Sequence, residues 1–175
     1  MQATSGLPCV FEAVGNERKG EMANELIAEG TPTPAIWFGG LGLIPFFAIA
    51  LAAPFLEADQ RRQATFALAA YGATILSFLG GVHWGAAITS PPKIRAQAVF
   101  VAQLGLSVVS PLLAWLALVL PAATGLLTLA VGLLAMLGID VWSKRNGFIP
   151  AWYVRLRFPL SCCAGACLFA RALWT

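Results

Sequence analysis

Charge is what this sequence has least of. Of its 175 residues only 11% are Asp, Glu, Lys or Arg, and 59% are hydrophobic, where a soluble domain carries charge on roughly a quarter of its residues. That scarcity excludes a soluble catalytic domain and makes lipid the solvent for most of the chain. The excess of 11 basic over 8 acidic residues is too small to suggest nucleic acid as a partner; it encodes orientation instead. Histidine occurs once, at His83, and one imidazole cannot hold a metal unaided. The four cysteines, Cys9, Cys162, Cys163 and Cys167, include no Cys-x-x-Cys pair, so neither a zinc site nor a disulfide framework is expected. Cys162, Cys163 and Cys167 are read as small hydrophobes within a packed core. Nothing offers a nucleophile with a base and an anion hole, and no metal, cofactor or enzymatic activity is expected.

The first part of the chain lacks the marks of a leader. Glu12, Glu17, Glu21, Glu25 and Glu29 face only Arg18 and Lys19, the wrong balance for a transit peptide, and no basic start precedes an apolar core. Residues 1–34 read as a polar, mobile tail. Met1 and Met22 are both readings of the start.

What is present is length without charge. A helix needs about 20 apolar residues to cross roughly 30 Å of hydrocarbon, and an isolated span must be helical to satisfy its backbone. Residues 35–56 meet this, ending at Glu57-Ala58-Asp59-Gln60-Arg61-Arg62, and residues 64–88 meet it again. Ser90-Pro91-Pro92-Lys93-Ile94-Arg95 then makes a turn, because paired prolines end a helix. From Ala98 to Ile139 there is no charge over 42 residues; as one helix this would measure about 63 Å. The run must therefore fold back, and Pro121 with Gly125 marks a tight hairpin between spans 98–120 and 122–139. After Asp140 a loop runs over 141–157, and 158–174 forms a short fifth span, with Arg171 reaching for the surface.

The expected fold is thus all-α: a polytopic membrane bundle of about five transmembrane helices over residues 35–175. With five spans, alternate loops fall on opposite sides. One side collects Arg18, Lys19, Lys93, Arg95, Lys144, Arg145, Arg155 and Arg157, the other Arg61, Arg62 and Arg171, which puts the N-terminus inside. The odd number of spans argues against paired inverted repeats.

Two patterns carry functional meaning. In the second span Ala73, Ser77, Gly81 and Gly85 recur every four residues, a small-residue stripe suited to close helix approach within the chain or between copies. His83 lies in the same span, where an ionisable side chain is a functional hypothesis by default, and Trp84 beside it suits a membrane-interface anchor. Reflection across the turn near Lys93 places residue 83 opposite residue 103. Gln103, Ser107 and Ser110 form a polar stripe pointing into the bundle. Asp140 and Arg157 reach the same inner surface, as an ion pair sealing the loop or as part of a site. His83, Trp84, Gln103, Asp140 and Arg157 are therefore the candidate cluster, able in chemical terms to meet an anionic head group, a quinone carbonyl or a proton.

At Gly42-Leu43-Ile44-Pro45-Phe46, Ser77-Phe78-Leu79-Gly80-Gly81-Val82-His83-Trp84-Gly85, Asp140, and Trp152-Tyr153 with Arg155 and Arg157, the sequence resembles a family of bacterial inner-membrane proteins. That family is known as domain of unknown function 3429 and has a mitochondrial relative, transmembrane protein 69. The resemblance spans about residues 35–174. It implies a multi-pass bundle in the bacterial inner membrane and singles out the His83 region, without supplying a substrate, cofactor or catalytic role. The expectation is a non-enzymatic accessory, assembly or stabilising component of a membrane complex, its partners the lipid bilayer and other membrane proteins or further copies of itself. The alternative is a small carrier or lipid- or quinone-binding bundle built on His83.

Overall fold

The structure is a computed structural model and describes residues 30–89 and 97–175. Of the expected tail over residues 1–34, residues 1–29 lie outside the described residues, as do the Met22 start, Cys9 and the Pro91-Pro92 turn; its last two positions, Thr33 and Pro34, instead open the first helix. Every described element is helical: α1 (Thr33–Leu41), α2 (Ile44–Ala52) with a 3-10 turn at Ala53–Phe55, α3 (Ala58–Thr89), α4 (Gln97–Val119), α5 (Ala122–Arg145) and α6 (Ala151–Leu173). Taking α1, α2 and the 3-10 turn as one, five helical segments are long and apolar enough to cross a membrane. The protein is a multi-pass membrane-embedded helical bundle.

The first span is broken because its sequence requires it. Pro45 has no N–H to give and its ring crowds the carbonyl four residues back, so the helix stops at Leu41 and restarts at Ile44. The carbonyl of Gly42 at the break accepts a bond from the Tyr71 hydroxyl of α3 at 2.9 Å. Phe46 sits edge-on to the same ring at 5.0 Å. The break is thereby fixed against α3 rather than left loose.

Three boundaries differ from the sequence reading. α3 begins at Ala58, not 64, and its 32 residues measure about 48 Å; its first turns, with Asp59 paired to Arg62, extend the helix beyond the apolar stretch. α5 does not end at residue 139 but continues to Arg145, and α6 begins at Ala151, not 158. The long loop expected over 141–157 shrinks to five residues. The reason is local chemistry: Lys144 and Arg145 complement the helix C-terminal dipole, and Gly147 takes a positive φ of 76°. There the N–H groups of Gly147 and Phe148 reach back to the carbonyls of Lys144 and Ser143, closing the helix end. Pro150 then precedes the first residue of α6.

The hairpin at Pro121 is as tight as expected, with two residues between α4 and α5. Gly125 makes it possible: a Cβ there would lie 2.2 Å from the Ala117 carbonyl oxygen. The inner faces of α3, α5 and α6 share a core of Leu68, Leu76, Leu126, Leu129, Leu133, Cys167 and Leu168, to which α4 adds Ala114 and Ala117. Lipid is as apolar as these side chains, so contact quality and polar links, not exclusion from water, hold such helices together.

Close approach along α3 is made one residue earlier than the predicted stripe. Ala73 is buried and Ser77 half-buried, but Gly81 is exposed, and a Cβ at Gly81 or Gly85 would meet nothing within 4 Å. The contact with α4 falls instead at Gly80, whose Cβ would come 2.9 Å from both the Ser107 carbonyl and Ser110 Cβ. Successive helical residues diverge by about 100°. The inward face is therefore set by Leu76, Gly80 and His83, and the stripe of Gly81 and Gly85 turns outward.

Candidate functional site

His83 lies on the same face of α3 as Leu76 and Leu79 and is fully buried. On α4, Gln103, Ser107 and Ser110 are buried as the stripe predicts. The two serines satisfy themselves locally, Ser107 donating to the Leu104 carbonyl at 2.6 Å and Ser110 to that of Leu106 at 2.8 Å. Gln103 is left free to reach across helices.

It reaches in both directions. Gln103 Oε1 lies 2.7 Å from His83 Nδ1, and Gln103 Nε2 donates to Ser143 Oγ of α5 at 2.8 Å. With the amide so oriented, Nδ1 carries a proton and donates it to Oε1. The other ring nitrogen, Nε2, stands 3.2 Å from Asp140 Oδ1, near the carboxylate but without hydrogen-bond geometry. Asp140 Oδ2 in turn faces Arg157 Nε of α6 at 3.3 Å. Four helices, α3 to α6, thus meet at five polar side chains.

All five are withdrawn from the surface: Gln103 and Ser143 are fully buried, and Asp140 and Arg157 are 2% and 7% exposed. Burying a carboxylate is costly unless it is paired, and Asp140 has the Arg157 guanidinium against one oxygen at 3.3 Å and the His83 ring against the other at 3.2 Å. Of the predicted cluster the structure brings together His83, Gln103, Asp140 and Arg157. Trp84 stands apart, because it follows His83 by one position and so faces outward, 48% exposed. Arg171 also departs from expectation: rather than reaching for the surface it turns inward at the opposite end of the bundle. There it donates to Thr65 Oγ1 at 2.7 and 3.1 Å and to the Trp174 carbonyl at 2.9 Å.

Sequence reasoning missed Ser143, having ended the helix at Asp140. The spacing of three between Asp140 and Ser143 was the available signal, since such residues share a face once the helix continues. Ser161 was missed too. It lies four residues beyond Arg157 on α6 and is 1% exposed, yet its Oγ makes no hydrogen bond among the described residues, and neither does Arg157 Nη2. Both residues line a cavity of about 280 Å³ bounded by α1, the α1–α2 break, α3 and α6. Among the described residues no group of three or more His, Cys, Asp or Glu is arranged to hold a metal ion.

The fold and the buried cluster define a class: small multi-pass membrane proteins whose helices are tied by a polar network near one end of the bundle. Within it, the chain belongs to the family described as protein of unknown function (DUF3429), whose model matches residues 31–173. A relative is transmembrane protein 69 of Xenopus tropicalis, 47% identical over 90 residues, half of this chain and 33% of that protein. The chain thus covers about a third of that relative's length. No solved structure matches.

Proposed function

We propose that the protein is a non-enzymatic accessory component of the bacterial inner membrane that works by docking against a transmembrane helix of another membrane protein. The observation that carries this reading is the outward face of α3. Gly81 and Gly85, with Gly105 on α4, are glycines at which a Cβ would meet nothing within 4 Å. Ser77, Trp84, Ser107 and Pro111 border a shallow groove of about 390 Å³ along this face. In lipid, small residues that admit close backbone approach are the principal sites of helix association. In the interior, Asp140 and Arg157 face one another, and Arg171 bonds to Thr65 and to the Trp174 carbonyl. The distribution of Lys and Arg supports a cytoplasmic N-terminus.

The test is purification in mild detergent after cross-linking in the membrane. Gly81→Leu is expected to abolish recovery of a specific partner while leaving monomer stability unchanged. Gly138→Leu, at a second exposed glycine with nothing within 4 Å, should retain it. Recovery of monomer alone across several detergents, or of a self-dimer sensitive to Gly81→Leu, would contradict a heterologous partner. A second reading, a small lipid- or quinone-binding bundle, is favoured by the cavity beside Arg157 and Ser161.

A further inference from the structure

We infer that the cavity between the first span, α3 and α6 is a binding site for an uncharged, carbonyl-bearing ring compound of the membrane, the quinone class. This rests on the second reading above and moves it from His83 to a separate place in the fold. Three observations point the same way.

The first is a pair of buried donors without partners. Arg157 and Ser161 are one helical turn apart on α6, both line the cavity, and both are more than nine-tenths buried. Leaving a buried donor unmade costs about 1 to 3 kcal/mol, and here two such groups share one apolar chamber. Both supply N–H or O–H hydrogens, so the complement is an acceptor oxygen.

The second concerns charge. Arg157 is already matched by Asp140 through Nε, so the remaining Nη2 offers a hydrogen bond without an uncompensated charge. A carboxylate or phosphate entering here would add a second buried anion beside Asp140, with the desolvation that entails. A neutral carbonyl adds none.

The third is the shape of the walls. Phe38, Phe46, Phe78 and Tyr153 line the chamber, and aromatic faces and edges suit a flat ring. The volume of about 280 Å³ is close to the lower end of small-molecule pockets, about 300 Å³. It suits a ring head, with any long tail left to the surrounding lipid. At Gly39 α1 runs close to α6, where a Cβ would come 2.9 Å from the Leu160 tip and 3.7 Å from Leu156, and the exposed Phe38 and Phe78 of the lining leave one side of the chamber open to lipid.

The experiment uses the full chain, purified in detergent, with decylubiquinone and laurate as probes, read by isothermal titration and by the rise in unfolding midpoint that a native-state ligand produces. Decylubiquinone is expected to bind saturably and laurate not. Ser161→Ala removes a hydroxyl that has no partner, so the variant folds as the parent does, and it should weaken decylubiquinone binding roughly tenfold. Ala164→Leu, which fills the chamber from α6, should abolish binding. Laurate binding in preference to decylubiquinone would overturn the class of ligand while leaving a ligand-binding bundle. Binding of neither probe would overturn both, and decylubiquinone binding untouched by both substitutions would place the ligand elsewhere and overturn the site.

Discussion

Replacing Asp140 with alanine removes the one carboxylate that faces both His83 and Arg157, at 3.2 and 3.3 Å. Arg157 is 7% exposed, so without Asp140 its guanidinium is left as a buried cation with no carboxylate beside it. Breaking a buried pair from one side costs roughly 3 to 5 kcal/mol, and the burial of both partners leaves little solvent screening to reduce it. Asp140→Asn combined with Arg157→Gln removes both charges together. The remaining loss is that of neutral interhelical hydrogen bonds, which average about 0.6 kcal/mol in a membrane bundle and reach about 1.7. The double variant should therefore be more stable than Asp140→Ala by about 2 kcal/mol. Equilibrium unfolding of the detergent-solubilised protein measures the difference. Equal or reversed stabilities would refute the argument that charge matching, rather than shape, is what Asp140 contributes.

Gln103→Leu deprives both His83 Nδ1 and Ser143 Oγ of their partner and should cost about 1 to 3 kcal/mol in the same assay; Ser143→Ala, which strands only one amide N–H of Gln103, should cost less. Gly125→Ala should be severe, since its Cβ would lie 2.2 Å from a backbone oxygen that cannot move away, while Gly81→Ala, with open space around it, should change stability by no more than about 0.5 kcal/mol. Periplasm-active reporter fusions should score inside at Arg95 and Lys144 and outside at Asp59, Thr124 and the C-terminus. An inside C-terminus would contradict the orientation drawn from the basic residues.

The spans were legible because lipid imposes one rule on every backbone group, so charge-free length alone marks a helix. Their ends were less so. Charged residues at 57–62 and 141–157 read as loops, yet helix propensity and the dipole carry α3 back to Ala58, α5 on to Arg145 and α6 back to Ala151. The His83–Gln103 contact followed from reflection across a short turn, a nearly one-dimensional problem. Arg157 could be matched with Asp140 because opposite charges at one membrane face seek each other. Ser143 and the direction of the glycine stripe needed the helix phase. An error of one residue rotates a face by about 100°, which is the difference between Gly80 against α4 and Gly81 facing out. The cavity beside Arg157 depends on where α1 breaks and rests, and no local pattern encodes that.

Because His83 is the sole histidine in the chain, its imidazole nitrogens can be labelled with 15N and observed alone. The account predicts a ring N–H in slow exchange with water, a donor bond at Nδ1, and resonances that shift for Nδ1 in Gln103→Leu and for Nε2 in Asp140→Asn. A freely exchanging imidazole whose two signals ignore both substitutions would contradict a buried network joining α3 to α6 through Asp140.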